Sequence, residues 1–129
     1  MTNWTADELG RVGDADELEI ASTRADGSLR KYVTIWAVRV GDGIYVRSAH
    51  GPDNPWYRRA AASGTGRIRA GGVEKDVSFA AVDDVELQHD IDAAYHSKYD
   101  HYPKEFVDPV VGEHSYDATF RLVPLELSA

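Results

Sequence analysis

The chain has 129 residues, with 22 acidic against 14 basic side chains and a formal charge of -8. That length suits one domain over residues 1–129 with a real core, and the negative field repels phosphate backbones, which argues against nucleic acid and anionic membrane as partners. There is no cysteine, hence no disulfide framework, thiolate metal site or thiol nucleophile, and with neither a secretory leader nor an apolar run near ~20 residues the expected home is the cytoplasm.

Thr5-Ala6-Asp7-Glu8 has the form of a capping box and predicts a short helix that fades over 13–16. Residues 18–24 alternate as a strand, and Asp26-Gly27 supplies the positive φ of a tight turn. A long strand over 29–40, rich in β-branched and aromatic residues, comes next, then a turn at Gly41-Asp42-Gly43 and a strand over 44–49. Asp53 or Asn54 caps a short helix with Pro55 at its first position and Gly64 as its stop. Residues 67–70 and 73–82 form a hairpin around Gly71-Gly72, with Val73, Val77, Phe79 and Ala81 on one face. A helix over 86–102 aligns Leu87, Ile91, Ala94, Tyr95 and Tyr102 in one stripe and closes at Pro103. The last strand covers 118–127, where Pro124 predicts an edge or a bulge.

Strands joined mainly by hairpins, with one helix after the third strand and a longer one before the last, describe an α+β fold that is mainly antiparallel, a small barrel with appended helices. Within 29–40, Val33, Ile35 and Ala37 share one face while Tyr32, Thr34, Trp36 and Val38 share the other. A strand wetted on one side would not carry apolar bulk on both. One face is expected to line the barrel and the other to be covered by a partner subunit or a ligand.

The run GSLRKYVTIWAVRVGDGIYVRSAHGPDNPWYRRAAASGTGRIRAGG and the terminal ATFRLVPLEL resemble the flavin-type split β-barrel family related to pyridoxamine 5'-phosphate oxidase, near its deazaflavin-dependent nitroreductase branch. The pattern IWxVRVGDxxYVRS, followed by WYR and RIxAGGV, is similar to an uncharacterised family, a domain of unknown function, within that group. The resemblance implies a six-stranded split β-barrel that forms a homodimer and binds FMN or a deazaflavin coenzyme in a groove at the subunit interface. The positions it points to are Arg30, Thr34 and Trp36 on the second strand, Arg47 and Ser48 at the end of the third, and His50, Gly51, Trp56, Tyr57 and Arg58 in the loop and helix. Ser48, the loop amides and the helix N-terminus would donate to a phosphate, with charge from Arg47, Arg58 or Arg59, and Trp36, Trp56 or Tyr57 would wall a flat ring. The chain departs from the deazaflavin branch in carrying Ala49-His50-Gly51-Pro52 and Arg58-Arg59, so the absence of any cofactor stays open.

Plainer roles compete at each position. Trp56 and Tyr57 suit core packing, Arg58 and Arg59 a solvated face or ion pairs, Arg67 and Arg69 outward salt bridges, and Trp36 a subunit interface. His89, Asp92 and His96 share a helical face with the spacing of a metal set, but that face is expected to point to water, so no metal is assigned. Tyr95, Tyr99 and Tyr102 suit packing, and His50 is the histidine placed to give a proton to a bound ring. Three functions follow: a split-barrel oxidoreductase, a small-ligand or cofactor-binding module without turnover, or a dimeric structural protein that has lost its cofactor.

Overall fold

Two edges of one sheet meet at Trp36. In the computed structural model, which describes residues 3–49 and 51–125, seven antiparallel strands run in the order β2-β1-β5-β6-β7-β4-β3. They are β1 (Leu18–Ser22), β2 (Val33–Ile35), β3 (Ala37–Val40), β4 (Gly43–Arg47), β5 (Thr65–Ala70), β6 (Val73–Ala81) and β7 (Thr119–Pro124). The edge strands β2 and β3 flank the single residue Trp36, and two Cα steps of 3.80 Å span at most about 7.6 Å. The sheet therefore has to curl until its edges touch there, which makes it a nearly closed split barrel.

That closure corrects one expectation from the sequence. The strand expected over 29–40 is two strands, one pairing with β1 through Ile20↔Val33, the other with β4 through Val38↔Tyr45. The count is accordingly seven rather than six. Pro124 also stands on an interior strand, since β7 lies between β6 and β4. It is tolerated because β4 pairs only as far as Leu122. The amide of Leu125 bonds Asp76 O at 2.9 Å on the β6 side, and the alternation of N–H directions turns the missing Pro124 donor the other way, past the end of β4.

Four helices are appended: α1 (Ala6–Asp14), α2 (Pro55–Ser63), α3 (Val85–Tyr99) and α4 (Lys104–Val107). The Thr5–Glu8 capping box is formed on both sides, and Asp84 caps α3 by accepting from the amides of Glu86 and Leu87. Inside the barrel, Leu9 and Val12 of α1 meet Leu18, Ile20, Ala37, Ile44, Val46, Ile68, Val77, Phe120 and Leu122. A second cluster lies outside the barrel wall, where Ile91, Tyr95 and Tyr99 of α3 cover Val38 and Tyr45 with Val107 and Val110. On the second apolar face of the 29–40 segment, Trp36 and Val38 are covered by α3 of the same chain, Trp36 stacking on Tyr99 at 4.1 Å and 4°, while Thr34 stays exposed. Ala81 is exposed despite its alternation with Val77. The outward Arg67 pairs with Asp76 at 2.8 Å and Arg69 with Glu19 at 3.1 Å.

Candidate functional site

Helix α2 presents two different flanks. Pro55 fixes its first turn, and Gly64 ends it in the left-handed region at φ 72. Trp56, Tyr57 and Ala60 pack toward the barrel, while Pro55, Arg58, Arg59, Ala62 and Ser63, at helical spacing along one side, line an open cleft of about 900 Å³. The opposite wall is the loop between β1 and β2, which contributes Thr23, Arg24, Ala25, Gly27 and Arg30, with Thr65 at the head of β5. Alanine, glycine and serine at four of these positions leave the space open.

The loop is built to hold its shape. Thr23 bridges to Leu29, the Arg24 amide donates to Ser28 O at 2.7 Å and the Arg30 amide to Ser22 O at 2.9 Å, and Gly27 takes φ 89. The Arg24 guanidinium donates to Leu29 O at 2.9 Å, which holds it over the cleft. Asp26 faces its own loop, where the Ser28 hydroxyl and amide hold its carboxyl below the usual range. Four arginines therefore border a cleft that, among the described residues, no Asp or Glu lines, in a chain of net charge -8. The Arg30 Nε is buried and has no partner among the described residues, and in a buried site an unmade bond of that kind costs on the order of 1–3 kcal/mol. Arg30 and Arg59, with Lys31, also border a recess of about 20 Å³ with Ile20, Ser22, Val33, Trp56 and Ala60, room for one water rather than a ring. An orphaned guanidinium N–H, convergent cations and no competing carboxylate fit an anionic group such as a phosphate.

Arg47 belongs to another place. Ile44 and Val46 point inward, so alternation turns Tyr45 and Arg47 outward, beneath α3. There Arg47 Nε donates to Thr119 Oγ1 at 3.1 Å, Nη1 to Val110 O at 2.8 Å and to Asp92, and Nη2 to Gln88 Oε1 at 2.6 Å and Gln88 O at 3.1 Å. Its donors are spent inside the chain, and it is 2% exposed. Burial pushes the Asp92 carboxyl up, but the Gly112 amide, Arg47 and the Tyr116 hydroxyl together outweigh it and hold the group below the usual range. Asp92 thus turns inward rather than to water, while His89 and His96 are exposed. Among the described residues no cluster of three metal-ligating side chains forms.

A family model described as "Uncharacterized protein conserved in bacteria (DUF2255)" matches residues 8–122. The chain belongs to the DUF2255 family. No curated protein matches it. Among solved structures, this DUF2255 chain is similar to the heme storage protein HutZ from Vibrio cholerae, with 18% identity, 94% of this chain and 90% of that one covered, and a TM-score of 0.66. A putative pyridoxamine 5'-phosphate oxidase from Listeria innocua is 13% identical over 92% and 90% of the two chains, with a TM-score of 0.62. A FAD-binding protein from Mesorhizobium loti is 18% identical over 96% and 92%, with a TM-score of 0.57. These likenesses establish that this chain has the split-barrel fold.

Of the positions named from the sequence, Arg30 and Arg58 border the cleft and Trp56 its recess. Thr34 is exposed on β2, and Trp36 lies under α3. The Ser48 hydroxyl donates to Gly51 O at 2.7 Å, closing its own loop. The Tyr57 ring stacks on Phe120 at 4.5 Å and its hydroxyl donates to Asp117 O at 2.9 Å, and burial, then the charge of Asp117, raises its pKa. His50 lies outside the described residues. Sequence reasoning missed Arg24, Thr23 and Thr65. The spacing of Arg58 and Arg59 with Ala62 and Ser63 was a readable sign of the α2 wall, but nothing local shows that the β1–β2 loop stands opposite it.

Proposed function

We propose that this DUF2255 protein is a homodimeric split-barrel oxidoreductase that holds the anionic arm of a flavin or deazaflavin cofactor in the cleft between α2 and the β1–β2 loop. The observation that carries this reading is the unpartnered, buried Arg30 Nε within a cluster of Arg24, Arg58 and Arg59. Solved neighbours described as a FAD-binding protein and as an F420 reductase support it. Thr65 spends its hydroxyl hydrogen on Thr23 Oγ1 at 3.2 Å, which leaves the Thr23 hydrogen to donate into the cleft.

When bound, such a cofactor supplies hydride or electron transfer from its own ring. The chain's contribution is positioning: guanidinium forks fix the anion, and the shaped loop fixes the forks. Among the described residues the cleft carries no flat aromatic wall of its own, and the edge strand β2 leaves Val33 and Thr34 exposed. A second copy laid against that edge would supply the missing wall, and a neighbouring structure is described as a domain-swapped dimer.

A second reading has one observation in its favour. Among the described residues, the cleft is lined by guanidinium and hydroxyl groups, with no carboxylate, imidazole or thiol to act as acid or base. Binding or carriage without turnover needs no more than that, and the similar HutZ is described as a heme storage protein. Fluorescence titration with FMN, FAD and the deazaflavin coenzyme separates the readings. Saturable quenching, weakened at least tenfold in Arg30→Gln/Arg59→Gln and followed by reduction of a quinone or nitroaromatic, supports the oxidoreductase. Quenching without reduction supports the carrier, and no quenching in a folded protein rejects both.

A further inference from the structure

We infer that the cleft is matched to a diphosphate ester rather than to a single phosphate, which makes a dinucleotide-type cofactor the preferred ligand. The inference rests on the cofactor reading above but is separable from it. Arg11, Arg47, Arg67 and Arg69 each find a carboxylate within the chain. Arg24, Arg30, Arg58 and Arg59 form no ion pair among the described residues; Arg39 and Arg121 form none either, but these four are gathered on one cleft. A phosphate monoester brings its charge of about -1.5 to -2 at neutral pH to one point; the diphosphate diester of a dinucleotide brings a similar total divided between two linked groups, so that each group can meet its own arginine pair.

The arginines also stand in two tiers. Arg30 and Arg59 border both the cleft and the small recess beside Trp56, while Arg24 and Arg58 border the cleft alone. The inner pair comes from the start of the 30–35 segment and from the second turn of α2. The outer pair comes from the loop, where Leu29 O anchors Arg24, and from the same helix one residue earlier. Two adjoining cationic pairs suit two linked anions, each held by forked donors.

Calorimetric titration with inorganic pyrophosphate and inorganic phosphate at pH 8 and low salt reads this directly. Wild type is expected to bind pyrophosphate at least tenfold more tightly than phosphate. Arg24→Gln/Arg58→Gln should lower pyrophosphate affinity at least tenfold and leave phosphate within about threefold, whereas Arg30→Gln/Arg59→Gln should abolish both. Arg39→Gln/Arg121→Gln removes the same charge elsewhere and should leave the ratio unchanged. A wild-type ratio below threefold, or a ratio that falls equally in the outer-pair and control variants, overturns the inference. Comparing FAD with FMN, which share a ring, then isolates the cofactor reading. Equal affinity for the two overturns the diphosphate preference and leaves cofactor binding standing, and pyrophosphate binding without flavin binding does the reverse.

Discussion

Arg47 shows how much one side chain's role depends on what lies over it. Its guanidinium ties β4 to α3 through Gln88 and Asp92 and to the segment before β7 through Val110. Arg47→Met takes from Asp92 its only cationic partner, leaving it the Gly112 amide and the Tyr116 hydroxyl, and takes a donor from Val110 O and Gln88 Oε1, so we expect a loss of about 3 kcal/mol or more in urea unfolding, the cost typical of breaking one side of a buried pair. Asp92→Asn tests the same network through pH. Because the folded carboxyl titrates below its ordinary value of 3.8, its contribution is present above that value and is lost as pH falls through the lower folded value. The wild type should lose stability there more steeply than Asp92→Asn. Lys98 gives the same sign for a different reason, because here the fold disfavours the charged form. Burial beneath Ala37 O, to which it donates at 2.7 Å, lowers its pKa to about 8 against the pull of Asp16 and Asp14. The unfolded chain then holds that proton more tightly, so stability should rise between pH 7.5 and 9, and the rise should disappear in Lys98→Met, as read from urea midpoints.

At the scale of elements, helix starts and glycine stops were legible because they are local chemistry. The Thr5–Glu8 box, Asp84 and Gly64 all act within four residues of themselves. Thr5→Ala and Asp84→Ala are each expected to cost about 1 kcal/mol, and Asn54→Ala close to nothing, since the Asn54 side chain makes no capping bond; chemical denaturation of the three variants checks this. Gly66 should not tolerate Ala, because its Cβ would stand 2.1 Å from Ala21 O across the β1–β5 pairing. Tertiary placement was harder to read. Period-two alternation was visible in 29–40, but the break at Trp36 follows from which edges pair, and no propensity signals that. The same limit hid Arg47, whose outward register was readable while the α3 lid above it was not. Arg58 was legible as a helix residue beside Pro55, yet its neighbours Arg24 and Thr65 reach the cleft only through the β1–β5 ladder.

Over the whole molecule, charge is distributed against its mean. A chain of net charge -8 gathers four arginines on one cleft while its other paired arginines are spent on carboxylates, and this asymmetry focuses the local field on anions. The described helices include none long and apolar enough to cross a membrane. The β1–β5 ladder sets the β1–β2 loop beside the junction of α2 and β5, so the fold itself builds the cleft. We propose that this cleft, and not the Arg47 network, meets the cofactor. Arginine side-chain Nε–Hε resonances, followed by NMR during titration with FAD, test it directly. We predict that the Arg24, Arg30, Arg58 and Arg59 signals move together with saturation while Arg47 stays fixed. Movement of Arg47 with the four cleft arginines unchanged would contradict it.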